Sequence, residues 1–385
     1  MIYINAVGAL NALGNDLEQM ADNLARLTAP GMRPDNGWLV QGKACWTGNV
    51  DADLPAIPDA LAEHNSRNNQ LLLAALAQIR PQVDEAIARF GSDRVAVIMG
   101  TSTSGLDEAD RYVSHDLPGY FYLQQELGDP SRFLAAFLGA DGPAYTLSTA
   151  CSSSARALIS GQRLIDAGLA DAAIVGGADT LSRMPLNGFD SLESLSSQRC
   201  APFSQRRDGI TIGEGAALML IGREPDGVAL LGAGESSDAH HMSAPHPEGE
   251  GAARAIEMAL RQAGLRPEDI GYINLHGTAT RLNDQIEAKV IHAIFGDATP
   301  CSSTKYLTGH TLGAAGICEA AICWLLLTRG LPLPPQDFSL GARDETLPPC
   351  GLLTAPGQLR RPVILSNSFA FGGNNACLIL GKADG

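Results

Sequence analysis

The chain has 385 residues, 45% hydrophobic and 18% charged, with a formal charge of −15. That length buries a large core in two or three domain-sized units. The acidic balance works against nonspecific binding to nucleic acid or to an anionic membrane. Arg206-Arg207 is a local basic hint and reads as a solvated turn.

Short apolar runs alternate with helical patterns along the chain. Val95–Gly100 reads as a buried strand ending in a turn, and Ala144–Leu147 as a strand leading into Ser148-Thr149-Ala150-Cys151-Ser152-Ser153-Ser154. A helix is predicted over 152–167, followed by strands over 172–177 and 215–221. The second half repeats this grammar. Helices are predicted over 253–263, 283–295 and 312–328, and strands over 272–275, 363–366 and 376–380. Leu312–Thr328 is the longest apolar stretch, but Glu319 interrupts it, so it reads as a buried helix and not a membrane span. Pro332–Pro356 is proline-rich without periodicity and reads as a surface connection. The alternation implies a mixed α/β fold with layered sheets, built from two halves with the same order of elements, 1–225 and 226–385.

Eight cysteines stand in apolar surroundings with no Cys-x-x-Cys pair, and Met1-Ile2-Tyr3-Ile4-Asn5 carries no basic leader. They read as reduced thiols of a cytoplasmic protein without a structural zinc site. His240, His241 and His246 lie in a proline-broken polar loop without helical spacing, a poor pattern for metal ligands.

Three motifs carry chemistry. Cys151 sits among small residues before a helix, where the helix dipole favours a thiolate. His276 closes a strand before Gly277-Thr278-Ala279-Thr280, and the following Asp284 and Glu287 have the spacing of a capping box, Glu287 being free to act at the site as well. His310 lies between Gly309 and Thr311, with Lys305 five residues earlier in a partly buried run, placed to keep the imidazole neutral or to orient it. Phe369-Ala370-Phe371-Gly372-Gly373 adds two aromatic walls and a turn whose glycines let backbone N–H groups approach a ligand. A thiol that carries an acyl group and two imidazoles that hold an oxyanion are the parts needed to join two thioesters through a carbon–carbon bond.

Together with Arg207-Asp208-Gly209, Gly213-Glu214-Gly215 and Asn367-Ser368, these motifs resemble the elongating β-ketoacyl-acyl-carrier-protein synthases of the thiolase-like superfamily, over nearly the whole chain. The resemblance implies a five-layered αβαβα fold from two duplicated halves, and an obligate homodimer or a heterodimer with a paralogue. It implies that Cys151 takes the acyl chain and that His276 and His310 bind the malonyl thioester. The amides of Cys151 and Phe371 would form the oxyanion hole, and Lys305 and Glu287 would support the histidines. Phe371 would gate a pocket lined by Phe189, Ile210, Phe369, Gly372 and Gly373, and Thr278 and Thr280 would contact the pantetheine arm of an acyl carrier protein. No metal or other cofactor is implied.

Four positions depart from the family's pattern: Ala370 for a glycine, which stiffens the gate; Ile210 for a phenylalanine, which reshapes the pocket; Ser204 for an acidic residue; and Glu193 where a basic carrier-protein contact is common. These departures favour a specialised polyene or polyketide pathway, such as aryl polyene synthesis, over housekeeping fatty-acid synthesis. A non-catalytic partner resembling a chain-length factor is the alternative. A degradative thiolase would need a second cysteine near Phe371, an initiating synthase would carry Asn in place of a second histidine, and a serine hydrolase would need a Gly-x-Ser-x-Gly elbow that is missing.

Overall fold

The computed structural model describes residues 1–115 and 118–383. Strands β1 (Ile2–Asn11), β2 (Val95–Gly100), β3 (Ala144–Leu147), β4 (Ala172–Asp179) and β5 (Gly215–Gly222) belong to the first half. Strands β6 (Val228–Ser237), β7 (Tyr272–Asn274), β8 (Cys301–Ser302), β9 (Val363–Phe369) and β10 (Asn374–Lys382) belong to the second. The helices that frame the site are α1 (Arg67–Ala77), α2 (Asp129–Leu138), α3 (Ser153–Asp166), α4 (Glu250–Ala263), α5 (Arg281–Phe295) and α6 (Ala315–Arg329).

The duplication anticipated from element order is visible in the strand pairing. The first half runs β3-β2-β4-β5-β1 and the second β8-β7-β9-β10-β6, so both follow the order 3-2-4-5-1. The pairing directions also repeat. β2 lies parallel to β3 and β4, with β5 antiparallel to β4 and β1; β7 lies parallel to β8 and β9, with β10 antiparallel to β9 and β6. The halves join where Ile2 and Tyr3 of β1 pair with Leu230 and Ala229 of β6.

Alternation along the strands sorts side chains into layers. In β4, Ala173 and Val175 face a central core shared with α3 and α6, whereas Ala172 and Ile174 face an outer core with α1 and α2. In the second half, β9 and β10 send Ile364, Leu378 and Leu380 to the same central core and Leu365, Cys377 and Ile379 outward against α4 and α5. The resulting order of helix, sheet, helix, sheet, helix is the five-layered arrangement expected.

α3 and α6 form the middle layer and touch closely. A Cβ on Gly316 would lie 2.7 Å from the Ala155 Cβ, so glycine is required where the helices cross. The segment Leu312–Arg329 is apolar enough to span a membrane by composition, yet its residues are largely buried in this middle layer, as predicted. The predicted helices and strands all form, with ends shifted by a few residues; the helix predicted from 253 begins at Glu250.

The connection over 332–356 departs from its surface reading. Leu333, Gln336 and Cys350 are buried, and the Gln336 side chain accepts from the Ser303 amide at 2.8 Å. Proline density reported a lack of regular structure, not exposure. All eight cysteines are buried free thiols.

Candidate active site

Cys151 stands in the turn between β3 and α3. Ala150, before it, has φ 53°, a left-handed conformation that a small side chain tolerates at modest strain. The turn is held from within: Ser153 Oγ accepts from the Thr149 amide at 2.9 Å and donates to the Ala150 carbonyl at 2.5 Å. A Cβ on Gly100 would come within 2.4 Å of the Ser154 amide, so the end of β2 also presses on the start of α3. Sulfur is thereby fixed at the helix N-terminus.

His276 follows β7, and His310 follows a short helix, Lys305–Thr308, after β8. The structure brings both to Cys151. His310 Nε2 lies 3.1 Å from the Cys151 sulfur, and the imidazoles meet edge to face with centroids 5.5 Å apart. Behind His310, the Leu312 amide donates to Nδ1 at 3.1 Å. Behind His276, Lys305 Nζ stands 3.3 Å from Nδ1. Each Nδ1 is thus an acceptor, and each neutral ring carries its proton on Nε2. Burial first, then the Lys305 ammonium, depress both imidazole pKa values well below 6.5; His310 adds to the effect on His276. Two neutral N–H donors therefore serve one cavity.

The Cys151 sulfur and ring nitrogens of both histidines lie within 4.8 Å of one another, close enough to share a metal ion. A metal there would have to displace the two Nε2 protons that the Nδ1 hydrogen bonds set in place.

Lys305 was expected to be partly buried and is wholly so, at 1% exposure. Its ammonium donates to the His276 carbonyl and to Glu319 Oε1, each at 2.6 Å. Glu319, which interrupts the apolar pattern of α6, is the counter-ion that makes a buried lysine tenable.

Glu287 does not contact the His276 ring. Its carboxylate accepts from the amides of His276 and Gly277, each at 2.7 Å, and from the Asn367 side chain at 3.2 Å, so it holds the backbone that carries the imidazole. Burial pushes its carboxyl up to about 7 against those hydrogen bonds. The capping-box reading fails here. Thr280 is the N-cap and makes no side-chain cap bond, and Asp284 instead accepts from the amides of Phe203 at 2.8 Å and Ala279 at 3.3 Å.

Thiolate character at Cys151 is also corrected. Burial dominates and raises the thiol to about 11; Lys305 and hydrogen bonds from the amides of Phe371 and Cys151 act in the opposite direction. Both amides therefore lie on the sulfur's side of the turn.

A cavity of about 260 Å³ opens above this group. Cys151, His276, His310, Phe189, Ile210, Phe369, Phe371, Thr278 and Thr280 all line it. The Phe189 and Phe371 rings are 5.5 Å apart, and the Thr278 and Thr280 hydroxyls 2.8 Å apart. Gly372 and Gly373 do not line the cavity. They make the turn behind Phe371 at φ 81° and 77°, and a Cβ on Gly373 would meet the Asp238 Cβ at 2.7 Å. Ala370 has φ −93°, so its methyl group is accommodated without strain.

The histidine-bearing loop after β6 is tied to this turn: the Gly372 amide donates to the Met242 carbonyl at 2.8 Å, and the Asp238 amide to the Gly373 carbonyl at 2.9 Å. Arg207 is not solvated, as Arg206-Arg207 had suggested, but buried and paired with Asp344 at 2.6 Å.

Sequence reasoning missed Asp179. At the end of β4 it accepts from the Thr101 and Thr103 hydroxyls and from the Ser102, Thr103 and Ala314 amides, locking the strand ends around Cys151. An aspartate ending an all-buried strand was the available signal.

The chain matches the beta-ketoacyl synthase N-terminal domain over residues 2–226 and the beta-ketoacyl synthase C-terminal domain over residues 228–338. It is 30% identical over 414 aligned residues to 3-oxoacyl-[acyl-carrier-protein] synthase 2 of Synechocystis sp., covering 99% of this chain and 98% of that protein. A chain in the structure of a ketosynthase (ApeO) in complex with its chain length factor (ApeC) from Xenorhabdus doucetiae is 68% identical, with TM-score 0.98, covering 99% of this chain and 98% of that one. A beta-ketoacyl synthase from Burkholderia phymatum STM815 is 25% identical, with TM-score 0.89, covering 100% of this chain and 99% of that one.

Proposed function

The chain belongs to the β-ketoacyl synthase family, and we propose that Cys151, His276 and His310 carry out its decarboxylative condensation of an acyl thioester with a malonyl thioester. In the first step the Cys151 sulfur attacks an acyl thioester. The carbonyl oxygen becomes an oxyanion held by the amides of Cys151 and Phe371, and the departing thiolate takes the proton that the cysteine gives up. In the second step the malonyl thioester oxygen accepts hydrogen bonds from both Nε2 protons. The carboxylate leaves as CO₂, its bonding electrons form an enolate, and the enolate carbon attacks the Cys151 thioester. Collapse of the tetrahedral adduct expels the cysteine sulfur and yields the β-ketoacyl thioester.

In this scheme Lys305 holds His276 in register and keeps both rings neutral, and Glu287 fixes the backbone at His276 and Gly277. Phe371 gates the entrance beside Phe189, Ile210 and Phe369 shape the acyl pocket, and Thr278 and Thr280 steady the pantetheine arm. The halves divide at 225/226, with the nucleophile in one and both histidines in the other.

The substrates are borne by an acyl carrier protein, and the working assembly is a dimer with a paralogous chain-length factor in the cytoplasm, serving a polyene or polyketide pathway. The 68% identity to a chain of a ketosynthase–chain length factor complex supports the heterodimer. The 3.1 Å contact between His310 and the Cys151 sulfur carries the catalytic reading, because a chain that only shaped a shared pocket would have no use for it. Cys151→Ala protein, co-purified with its partner, should lose chain elongation from acyl- and malonyl-carrier protein; elongation at the native rate would refute the scheme.

A further inference from the structure

We propose that Arg281 and Arg206 form a phosphate-seating lip at the mouth of the reaction cavity, which grips the phosphodiester of the carrier-borne arm. The proposal rests on the carrier-bound substrate named above and assigns the residues that recognise the one charged group of its pantetheine arm.

Arg281 lines the reaction cavity and also the groove that opens beside it, where it faces Arg206, Arg199, Ser197 and Gln205. The other arginines of this neighbourhood are committed: Arg199 to Asp337 and Arg207 to Asp344. Arg206 and Arg281 are exposed and make no ion pair among the described residues. In a chain of charge −15, whose arginines mostly face carboxylates, two free guanidiniums at one opening are unusual.

Helix stability does not explain Arg281. It is the first residue of α5, a 15-residue helix, where the macrodipole disfavours a cation. The Arg206 guanidinium has no hydrogen-bond or ion-pair partner among the described residues either, in contrast to its neighbour Arg207. Asp208, the acid that lines the groove, accepts from the Ser196 and Ser197 hydroxyls at 2.6 and 3.1 Å and pairs with neither arginine. What remains is a pair of unpaired guanidiniums on the groove beside the cavity that holds Cys151, one of them, Arg281, shared by both. Guanidinium pairs suit phosphate oxygens because they donate in parallel and stay charged. A thioester arm threaded to Cys151 is uncharged until its terminal phosphodiester, which then lies outside the narrow part of the cavity, at the lip.

Binding is tested first, without turnover. Calorimetry on Cys151→Ala protein with its partner compares 4′-phosphopantetheine with pantetheine. The phosphorylated ligand should bind more tightly, and Arg206→Ala/Arg281→Ala should erase at least about tenfold of that preference, while circular dichroism shows an unchanged melting profile. Equal loss for both ligands, or no loss, overturns the proposal.

In the Cys151-intact protein, the ratio of kcat/KM for malonyl-carrier protein to that for malonyl-N-acetylcysteamine, which lacks phosphate, should fall through KM in the double variant. An unchanged ratio overturns the proposal too. Failure of the parent enzyme to elongate either substrate would strike the proposed reaction itself, and leaves the calorimetric comparison to decide the lip.

Discussion

Two imidazoles whose Nδ1 atoms are occupied from behind have one proton each to offer, and both offer it on Nε2. That tautomer follows from one backbone amide and one lysine, not from the histidines themselves. The neutral ring is the form in which Nδ1 accepts from these partners while Nε2 donates to an enolate oxygen. Burial and Lys305 depress both pKa values, so the neutral form is complete at pH 6.5 and persists as pH falls below it. Ring-carbon NMR of His276 and His310, assigned with single His→Ala variants, should therefore show neutral shifts on both sides of pH 6.5. A half-point near 6.5 would mean that the rings are solvated and the lysine does not set their charge.

The same residues show what could be read in the chain beforehand. Cys151, His276 and His310 were legible because each ends a strand or short turn among glycines and small residues, the local signature of a side chain presented at a sheet's end. Glu319 was not. Its partner lies 14 residues away across a turn, and only the tertiary fold turns an interruption in an apolar helix into the counter-ion of Lys305. Glu287 is legible as a support of the histidines, but which atoms it holds is not, because spacing cannot distinguish a carboxylate that caps its own helix from one that folds back onto a neighbouring loop.

At the level of elements, the site depends on how closely α3 and α6 approach, since α3 starts two residues beyond Cys151 and α6 begins five beyond His310. Gly316 sets that distance. In Gly316→Val the first added carbon already lies 2.7 Å from the Ala155 Cβ and 2.8 Å from its amide, both on a helix that has no room to retreat between two sheets. Overpacking of this kind should cost about 1–3 kcal/mol, read as a lower urea midpoint. Activity should fall further than stability, because the displaced α3 carries the nucleophile's turn. A variant as stable and as active as the parent would show that the middle layer is more plastic than its packing implies. Element type and order were legible from periodicity here, whereas the crossing itself was not: a glycine in an apolar run does not announce which helix it faces.

Across the whole molecule, the duplicated order 3-2-4-5-1 leaves the two outer strands in different circumstances. At β8, Cys301 pairs with Leu352 of the long connection, which covers that edge. At β3, residues 144–150 are half-buried or exposed, although the strand leads directly to Cys151. An uncovered edge beside a nucleophile invites a second chain. Hydrogen exchange of the protein with and without the proposed chain-length-factor partner should show protection concentrated over 144–150; unchanged exchange there would place the partner elsewhere. The repeat was perceptible in the sequence as a recurring succession of strands and helices, but its proof required pairing directions, which no periodicity encodes.

The assertion that sulfur and both imidazoles act as one centre is tested most directly by following the Cys151 peptide mass in three proteins through two additions. With acyl-carrier protein, the parent, His276→Ala and His310→Ala should all gain the acyl mass on Cys151. When malonyl-carrier protein follows, only the parent should lose that mass and release CO₂ and the β-ketoacyl product, while both histidine variants remain acylated. An acyl group that never appears on Cys151, or variants that discharge it as fast as the parent, would contradict the account.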